Sequence, residues 1–229
     1  MTSNDNERAT ARAMAAESLA SGDDTGWFER LYSAADNGTV VPWIDGHANP
    51  ALLSWPDLTV LPRGRACVVG CAYGDDAEFL AAAGFAVSAF DISPTAVEHA
   101  RQRFPASAID DRANRRVDYR VDDACAPSPE LIGTFDLVVE ISTLQVLRGP
   151  ARKSATAGIA SLLAAGGFLL VIARGRDATD PEGSMPWPLL RDEVEAFTAH
   201  GLSLMSFEDF MDDEQPPVRR FRAIFRRPN

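Results

Sequence analysis

Residues 66–75 read Ala-Cys-Val-Val-Gly-Cys-Ala-Tyr-Gly-Asp, a short apolar run that ends in a turn with two glycines. Such a run is typical of a buried parallel strand, and a helical pattern follows it at residues 75–83. Gly70 and Gly74 let the backbone turn tightly and approach a ligand closely. The helix that follows offers free N–H groups to a carboxylate. A strand-to-helix loop without a ligand has the same pattern, so the turn alone leaves both interpretations open.

The rest of the chain repeats this alternation of strands and helices. Further strands are predicted at residues 85–90, 117–121, 135–139, 168–173, 202–207 and 218–225, and helices at 94–104, 150–165 and 190–200. Strands that alternate with helices favour a parallel sheet. The last connection is mainly acidic residues and prolines, which favours an antiparallel return. The sequence therefore predicts an α/β fold with seven strands, mostly parallel with an antiparallel last strand, and helices on both faces.

Composition limits the classes of partner and compartment. The 229 residues carry a formal net charge of −11, which disfavours nucleic acid because a phosphate backbone is repelled. Three cysteines without a matching Cys/His pair favour buried thiols, so no metal site is expected. The polar residues 1–10 do not resemble a secretory signal, and no apolar run approaches the ~20 residues of a membrane span. We therefore expect a cytoplasmic protein without a membrane partner.

The N-terminal quarter differs in character from the rest of the chain. Residues 1–24 are interpreted as a flexible or helical arm, and residues 25–229 as a single domain. Within that domain, residues 25–56 hold three of the four tryptophans and show no helical periodicity. At the other end, the arginines of residues 219–227 alternate with apolar residues, which predicts an edge or outer strand with a basic solvent face that pairs with acidic residues 212–214.

Carboxylates follow the second and third predicted strands. Asp91 comes 17 residues after Gly74 (91 − 74), where a carboxylate can accept from both hydroxyls of a ribose. A helix cap before Ser93 is the alternative role. Asp122 and Asp123 end the third strand, where a carboxylate can accept from an exocyclic amine; a surface turn is the alternative. Ligands collect at this carboxyl edge of an open α/β sheet.

The glycine turn, Asp91 and the pair Asp122-Asp123 follow three successive strands in this order. In this arrangement the chain resembles the class I S-adenosylmethionine-dependent methyltransferases over about residues 65–173. The resemblance implies S-adenosyl-L-methionine as cofactor. Most members carry an acidic residue two positions before the first glycine, whereas this chain has Val68 there. The cofactor contacts that the resemblance implies are Gly70, Cys71, Gly74, Asp91, Ile92, Asp122, Asp123 and Ala124, with a backbone N–H of Ala124 or Cys125 available to the adenine ring.

The aromatic segment resembles a subgroup, the thiopurine and halide/thiol methyltransferases. The pattern Trp27…Tyr32…Pro42-Trp43 and the strand 135–138 followed by Glu140 carry this resemblance. It implies that residues 25–56 fold over the cofactor as a lid, with Trp27 and Trp43 against the cofactor and Tyr32 near the substrate. The subgroup often has aromatic residues after the fourth strand, where this chain has Ser142, Thr143 and Gln145.

The same reasoning names candidates for catalysis. Glu140 ends the fourth strand and is a candidate to orient the acceptor, act as base or hold the cofactor's ammonium; a solvated strand end is its alternative. His47 is a candidate acid or base, although a loop histidine is more often simply exposed. The candidates for substrate contact are Tyr32, Thr143, Gln145, Arg174 and Trp187.

The predicted activity is methyl transfer to a small-molecule acceptor with a thiol, heteroaromatic or phenolic group, by a monomer or homodimer. One alternative is a nicotinamide-dependent oxidoreductase, which the antiparallel last strand and the sparse glycine turn disfavour. Another is a non-catalytic cofactor-binding protein of the same fold. A methyltransferase acting on protein or nucleic acid is the third; the acidic charge and the aromatic segment disfavour it.

Overall fold

A seven-stranded sheet forms the centre of the structure. The structure is a computed structural model that describes residues 3–35, 37, 39–105 and 117–229, with residues 3–7 described by their backbone alone. The strands follow the order β3-β2-β1-β4-β5-β7-β6. The strands β1 to β5 are parallel, and β7 is antiparallel to both of its neighbours, which confirms the predicted sheet. The strand bounds are β1 Arg65–Val69, β2 Ala86–Asp91, β3 Asp118–Val121, β4 Phe135–Ile141, β5 Leu163–Arg174, β6 Ser203–Met211 and β7 Arg219–Arg226.

Helices cover both faces of the sheet, as predicted. On one face Cys67 and Val69 of β1 pack in a cluster with Ile159. On the other face Ala66 and Val68 pack with residues of the helix that follows β1. A central strand buried on both sides explains why β1 is apolar at every position after Arg65. The helix bounds are α1 Ser3–Ala20, α2 Gly26–Ala35, α3 Pro50–Leu53, α4 Asp75–Ala82, α5 Pro94–Arg103, α6 Gly149–Ser161 and α7 Arg191–Glu195. None of the helices in these described ranges is both long and apolar enough to cross a membrane.

Helix termini follow local sequence signals. The side chain of Ser93 accepts the backbone N–H of Ala96 at 3.1 Å, and Pro94 occupies the first turn of α5. The chain after α7 continues as a 3₁₀ helix and ends at Gly201, which has a φ of 80°. This left-handed residue is the usual end of a helix, and the predicted helix at 190–200 therefore has the expected limits.

The helix predicted at residues 150–165 is shorter in the structure. It ends at Ser161, and the two glycines expected to close it lie within β5. A Cβ atom on Gly167 would lie 2.8 Å from the carbonyl oxygen of Phe135, and Gly166 has a φ of 76°. The glycines are therefore required by an irregular pairing between β4 and β5, not by a helix end.

The prediction that β7 is an edge strand with a basic solvent face is wrong. The strand lies between β5 and β6, so β6 forms the edge. Its arginines face acidic residues of the adjacent hairpin: Arg220 pairs with Asp212 and Glu214, as expected, and Arg222 is buried against Glu208. The arginines therefore anchor the hairpin.

The N-terminal residues form helices. Helix α1 lies within the predicted 1–24 arm, whose first two residues are outside the described part of the chain. The segment 25–56, for which the sequence predicts no helical periodicity, contains α2. Asp23 accepts the N–H of Gly26 at 2.7 Å at the start of this helix, and Trp27 and Leu31, four residues apart, bury against α1. The division at residue 24 stays a prediction.

Candidate functional site

A cavity of about 1150 Å³ lies at the carboxyl ends of the central strands. The residues on its wall come from β2, β4 and β5, from the turns that follow β1 and β3, and from the aromatic segment, among other parts of the chain. The structure brings the following predicted site residues together on this wall: Tyr32, Trp43, His47, Gly70, Cys71, Asp91, Ile92, Asp122, Asp123, Ala124, Thr143, Gln145 and Arg174. It does not bring Trp27, Gly74, Glu140 or Trp187 to the wall.

The turn after β1 requires glycine at its first position. Gly70 has a φ of 63°, and a Cβ atom there would collide with the hydroxyl of Thr143. That hydroxyl donates to the carbonyl of Val69 at 3.2 Å. The turn therefore packs directly against the segment that follows β4. Burial raises the pKa of the Cys71 thiol on the same turn, so it stays protonated.

Gly74 serves the packing of a helix. It is the N-cap of α4 with a φ of 92°, and a Cβ atom would collide with the hydroxyl of Tyr119 on β3. That hydroxyl donates to Glu78 at 2.8 Å. The second glycine of the motif therefore allows α4 to approach β3, and it does not face the cavity.

Asp91 connects the ends of β1 and β2. Its side chain is 5% exposed, and its two oxygens accept the N–H groups of Ala72 and Ser93, each at 3.0 Å. Burial raises the pKa of this carboxyl to about 6, although these backbone hydrogen bonds oppose the shift. The cap of α5 is Ser93 itself, so Asp91 is not needed for that role. Each carboxylate oxygen keeps acceptor capacity for a ligand hydroxyl.

The two aspartates after β3 shape their own loop and also line the cavity. Asp122 accepts the N–H groups of Asp123 at 2.8 Å and Ser128 at 3.1 Å. Asp123 accepts the N–H of Cys125 at 2.7 Å. The Cys125 N–H is therefore not free for an adenine ring. The backbone N–H of Asp122 donates to the carbonyl of Asp91 at 3.1 Å, which holds the ends of β2 and β3 together.

Glu140 lies under the cavity. It is fully buried, and one carboxylate oxygen accepts the N–H groups of Thr143 at 2.7 Å and Leu144 at 3.0 Å. The other oxygen has no hydrogen-bond partner among the described residues. Burial raises the pKa of this carboxyl to about 7. Its observed contact is with the turn that holds Thr143 and Ser142, the latter with a φ of 65°.

The aromatic side chains divide into two groups. Tyr32 and Trp43 line the cavity, and the indole N–H of Trp43 donates to the Tyr32 hydroxyl at 2.8 Å. Trp27 is fully buried behind them, stacked on Phe28 with ring centroids 3.9 Å apart. Its observed role is to fix the segment to the core. Burial raises the pKa of Tyr32 well above its usual value, so the hydroxyl is neutral.

Trp187 supports the wall from behind. Its backbone N–H donates to the carbonyl of Gln145 at 2.7 Å, and the guanidinium of Arg148 lies 4.8 Å from its ring centroid. The side-chain oxygen of Gln145 in turn accepts the backbone N–H of Arg174 at 2.7 Å. The segments after β4 and β5 are thus held together at the cavity.

Sequence reasoning missed several residues of the wall. Asp76 is half-buried at the start of α4 and accepts the N–H of Asn49 at 2.7 Å, and desolvation raises the pKa of its carboxyl to about 6. The exposed His47 lies on the same wall. The signal for Asp76 was its position in the first turn of the helix after the glycine motif. The hairpin residues 210–215 also line the cavity, whereas the acidic sequence there predicts only a link and a partner for the arginines of residues 219–227.

Comparisons with known proteins agree with this geometry. Residues 68–169 match the family model for a methyltransferase domain. The resemblance to class I S-adenosylmethionine-dependent methyltransferases is confirmed. More particularly, the chain is 37% identical over 68 residues to thiocyanate methyltransferase 1 of Brassica oleracea. That match covers 30% of this chain and 30% of the relative, so it spans less than a third of the relative's length.

Solved structures share the fold over most of the chain. One, from work on the conversion of a disulfide bond into a thioacetal group during echinomycin biosynthesis, is 20% identical with a TM-score of 0.71. It covers 88% of this chain and 93% of its own. The N-methyltransferase NodS from Bradyrhizobium japonicum WM9, in complex with S-adenosyl-L-homocysteine, is 21% identical with a TM-score of 0.64. It covers 87% of this chain and 99% of its own. Because these identities are only 20% and 21%, the similarity to these two structures shows a shared fold and no more.

Proposed function

We propose that this chain binds S-adenosyl-L-methionine in the cavity and transfers its methyl group to a small-molecule acceptor. The single observation that carries the proposal is that the ends of β1, β2 and β3, at Gly70, Asp91 and Asp123, open into one cavity. Its volume exceeds the ~300–1000 Å³ of a typical ligand pocket, which leaves room for a nucleoside cofactor and an acceptor together.

The donors and acceptors on the wall fit the parts of this cofactor. The glycine turn, where no Cβ is tolerated at Gly70, suits close approach of the amino-acid tail. The Asp91 carboxylate suits the two ribose hydroxyls, and Asp123 suits the exocyclic amine of adenine. Residue 68, within β1, is a valine and not an acidic residue, and the carbonyl of Gly70 is the acceptor we assign to the ammonium.

Catalysis by this chain consists mainly of alignment. The bound cofactor supplies a methyl group already activated by a positive sulfur. The residues of the wall hold the acceptor in line with that methyl and exclude water. Tyr32 and Trp43 are aromatic residues of the wall and suit a flat acceptor or the sulfonium itself. We assign the segment 25–56 the role of a lid.

The acceptor we favour is a thiol, with heteroaromatic and phenolic acceptors as further members of the class. The likeness to a thiocyanate methyltransferase supports a soft sulfur. A thiolate needs no strong base, and Glu140, the strongest candidate base in the sequence, is absent from the cavity wall. If a base is used, we assign that role to His47 or Asp76, two titratable groups on the cavity wall.

Finer aspects of the assignment follow from the same reasoning. We place the chain in the thiopurine and halide/thiol subgroup on its aromatic segment. We also propose a cytoplasmic monomer or homodimer that does not act on nucleic acid, because the net charge of −11 repels a phosphate backbone.

Calorimetry with S-adenosyl-L-methionine and with S-adenosyl-L-homocysteine tests the proposal. We expect a dissociation constant in the micromolar range for each. A folded protein that gives no binding heat with either ligand contradicts the proposal, as does preferential binding of a reduced nicotinamide cofactor. Affinity without turnover on a broad panel of thiols, phenols and amines would favour a non-catalytic binding protein.

A further inference from the structure

The guanidinium of Arg174 forms no ion pair with any acidic residue that the structure describes. The residue ends β5, lines the cavity and is half-buried. Within the described ranges, no hydrogen bond or ion pair joins its side chain to another residue. The other arginines of the wall differ: Arg8 lies 3.9 Å from Glu214, and Arg220 lies 2.6 Å from Asp212. A half-buried cation without compensation in a chain of net charge −11 is costly unless an anion binds it.

The electrostatic surroundings of Arg174 increase this cost. Burial lowers the pKa of Arg174, and the nearby positive charges of Arg220 and Arg8 lower it further. Glu214 and Asp212 oppose the shift from a distance, but both already pair with those neighbouring arginines. Among the described residues, Arg174 is therefore the arginine of this wall that forms no ion pair.

Gln145 adds a second donor beside Arg174. Its amide oxygen accepts the backbone N–H of Arg174 at 2.7 Å, which fixes the orientation of the amide group. The side chain is 4% exposed and lines the cavity. The NH₂ group has no hydrogen-bond partner in the part of the chain that the structure describes. A planar guanidinium fork and an amide NH₂ on the same cavity wall match the two oxygens of a carboxylate.

This pair lies on the acceptor side of the cavity. The residues assigned to the cofactor end β1, β2 and β3, whereas Arg174 ends β5, two strands beyond β1. Because neighbouring strands are about 4.8 Å apart, β5 lies about 10 Å from β1 at the level of the sheet. The pair is therefore remote from the ribose and adenine positions, and the space between belongs to the acceptor.

We propose that the acceptor carries a carboxylate, which Arg174 and Gln145 bind while the methyl-accepting atom faces the cofactor. This inference rests on the proposed function and narrows its substrate class from small molecules in general to thiol acids. The carboxylate is a specificity group and takes no part in bond making. Charge-assisted hydrogen bonds of this kind change affinity by about ten- to a hundredfold.

The test compares matched pairs of acceptors. The three mercaptobenzoate isomers and the corresponding mercaptobenzamides differ only in the charged group, and initial rates are measured with S-adenosyl-L-methionine at saturation. We expect at least one acid to exceed its amide by about ten- to a hundredfold in kcat/KM, with most of the difference in KM. Arg174→Gln should abolish this preference and leave the affinity for S-adenosyl-L-homocysteine within about twofold.

The control variant is Arg191→Gln, which removes one exposed arginine that pairs with Glu195 away from the cavity. It should behave as the wild type. The inference is overturned if no acid is preferred, if Arg174→Gln keeps the preference, or if Arg174→Gln weakens S-adenosyl-L-homocysteine binding tenfold or more, which would assign Arg174 to the cofactor.

A binding measurement separates this inference from the proposed function. If no acceptor turns over, calorimetry of the same acids and amides is carried out on protein loaded with S-adenosyl-L-homocysteine. Preferential binding of an acid that is lost in Arg174→Gln supports the inference. Cofactor binding without such preference overturns the inference alone, whereas absence of cofactor binding overturns the proposed function as well.

Discussion

Asp91→Asn is the substitution whose effect the structure defines most closely. The buried carboxylate uses one acceptor site on each oxygen for the N–H groups of Ala72 and Ser93, both at 3.0 Å. We assign the remaining sites to the two ribose hydroxyls. Asn converts one oxygen to an NH₂ group, which faces a backbone N–H and cannot accept from a hydroxyl. One charge-assisted hydrogen bond is lost, and the other loses its charge. The expected loss of binding free energy is about 3 kcal/mol, or about a hundredfold in affinity.

The assay is calorimetry with S-adenosyl-L-homocysteine at pH 7.5, above the pKa of about 6 for Asp91, where the wild-type carboxylate is ionised. A thermal melt establishes that the variant is folded. Asp118→Asn is the control. Asp118 is exposed and is the first residue of β3, so it lies at the amino end of the strand, whereas the cavity lies at the carboxyl ends. The reasoning is refuted if folded Asp91→Asn binds within threefold of the wild type, or if Asp118→Asn loses as much affinity.

Three further predictions concern Asp91, Glu140 and Gly70. The affinity for S-adenosyl-L-homocysteine should fall by up to about tenfold between pH 7.5 and 5, because protonation of Asp91 removes an acceptor. An equally steep fall of affinity with pH in Asp91→Asn would contradict this prediction. The pKa of Glu140 is raised from 4.5 to about 7, so its contribution to stability is lost as the pH rises through this range. In urea denaturation, the unfolding free energy of the wild type should therefore fall by about 2 kcal/mol more than that of Glu140→Gln between pH 5.5 and 8. If the unfolding free energies of the two proteins changed equally with pH, this prediction would be wrong. Gly70→Ala should cost about 1–3 kcal/mol through its φ of 63° and its contact with the Thr143 hydroxyl. The cost should be smaller in a Thr143→Ala background, and equal costs in both backgrounds would show that the contact is unimportant.

The ends of the central strands could be predicted because their signals are local. An apolar run followed by glycine or aspartate identifies the end of a buried parallel strand, and β1 and β2 follow this rule. The alternating strand β3 is recognised by the two aspartates that follow it. The meeting of Gly70, Asp91 and Asp123 at one cavity then follows from parallel strand direction alone. The order of β7 and β6 beyond β5 is not determined by local sequence signals. The sequence of β7 alternates arginine with apolar residues, and its partners on β6 and the hairpin are set by tertiary pairing.

Side-chain direction limits what the sequence predicts about the site. Glu140 ends an apolar run as Asp91 does, but its carboxylate satisfies the N–H groups of the following turn instead of facing the cavity. Trp27 and Trp43 both belong to the aromatic segment, yet only Trp43 reaches the wall, because the periodicity of α2 turns Trp27 toward α1. The sequence does not predict α2 because the helix begins with a glycine and two aromatic residues, which are weak helix formers.

A crystal structure of the complex with S-adenosyl-L-homocysteine tests the central claim most directly. The account predicts the amino-acid tail beside Gly70, the ribose hydroxyls on the carboxylate of Asp91 and the adenine amine at Asp123. A nucleoside bound elsewhere, or a ribose that makes no contact with Asp91, would contradict it.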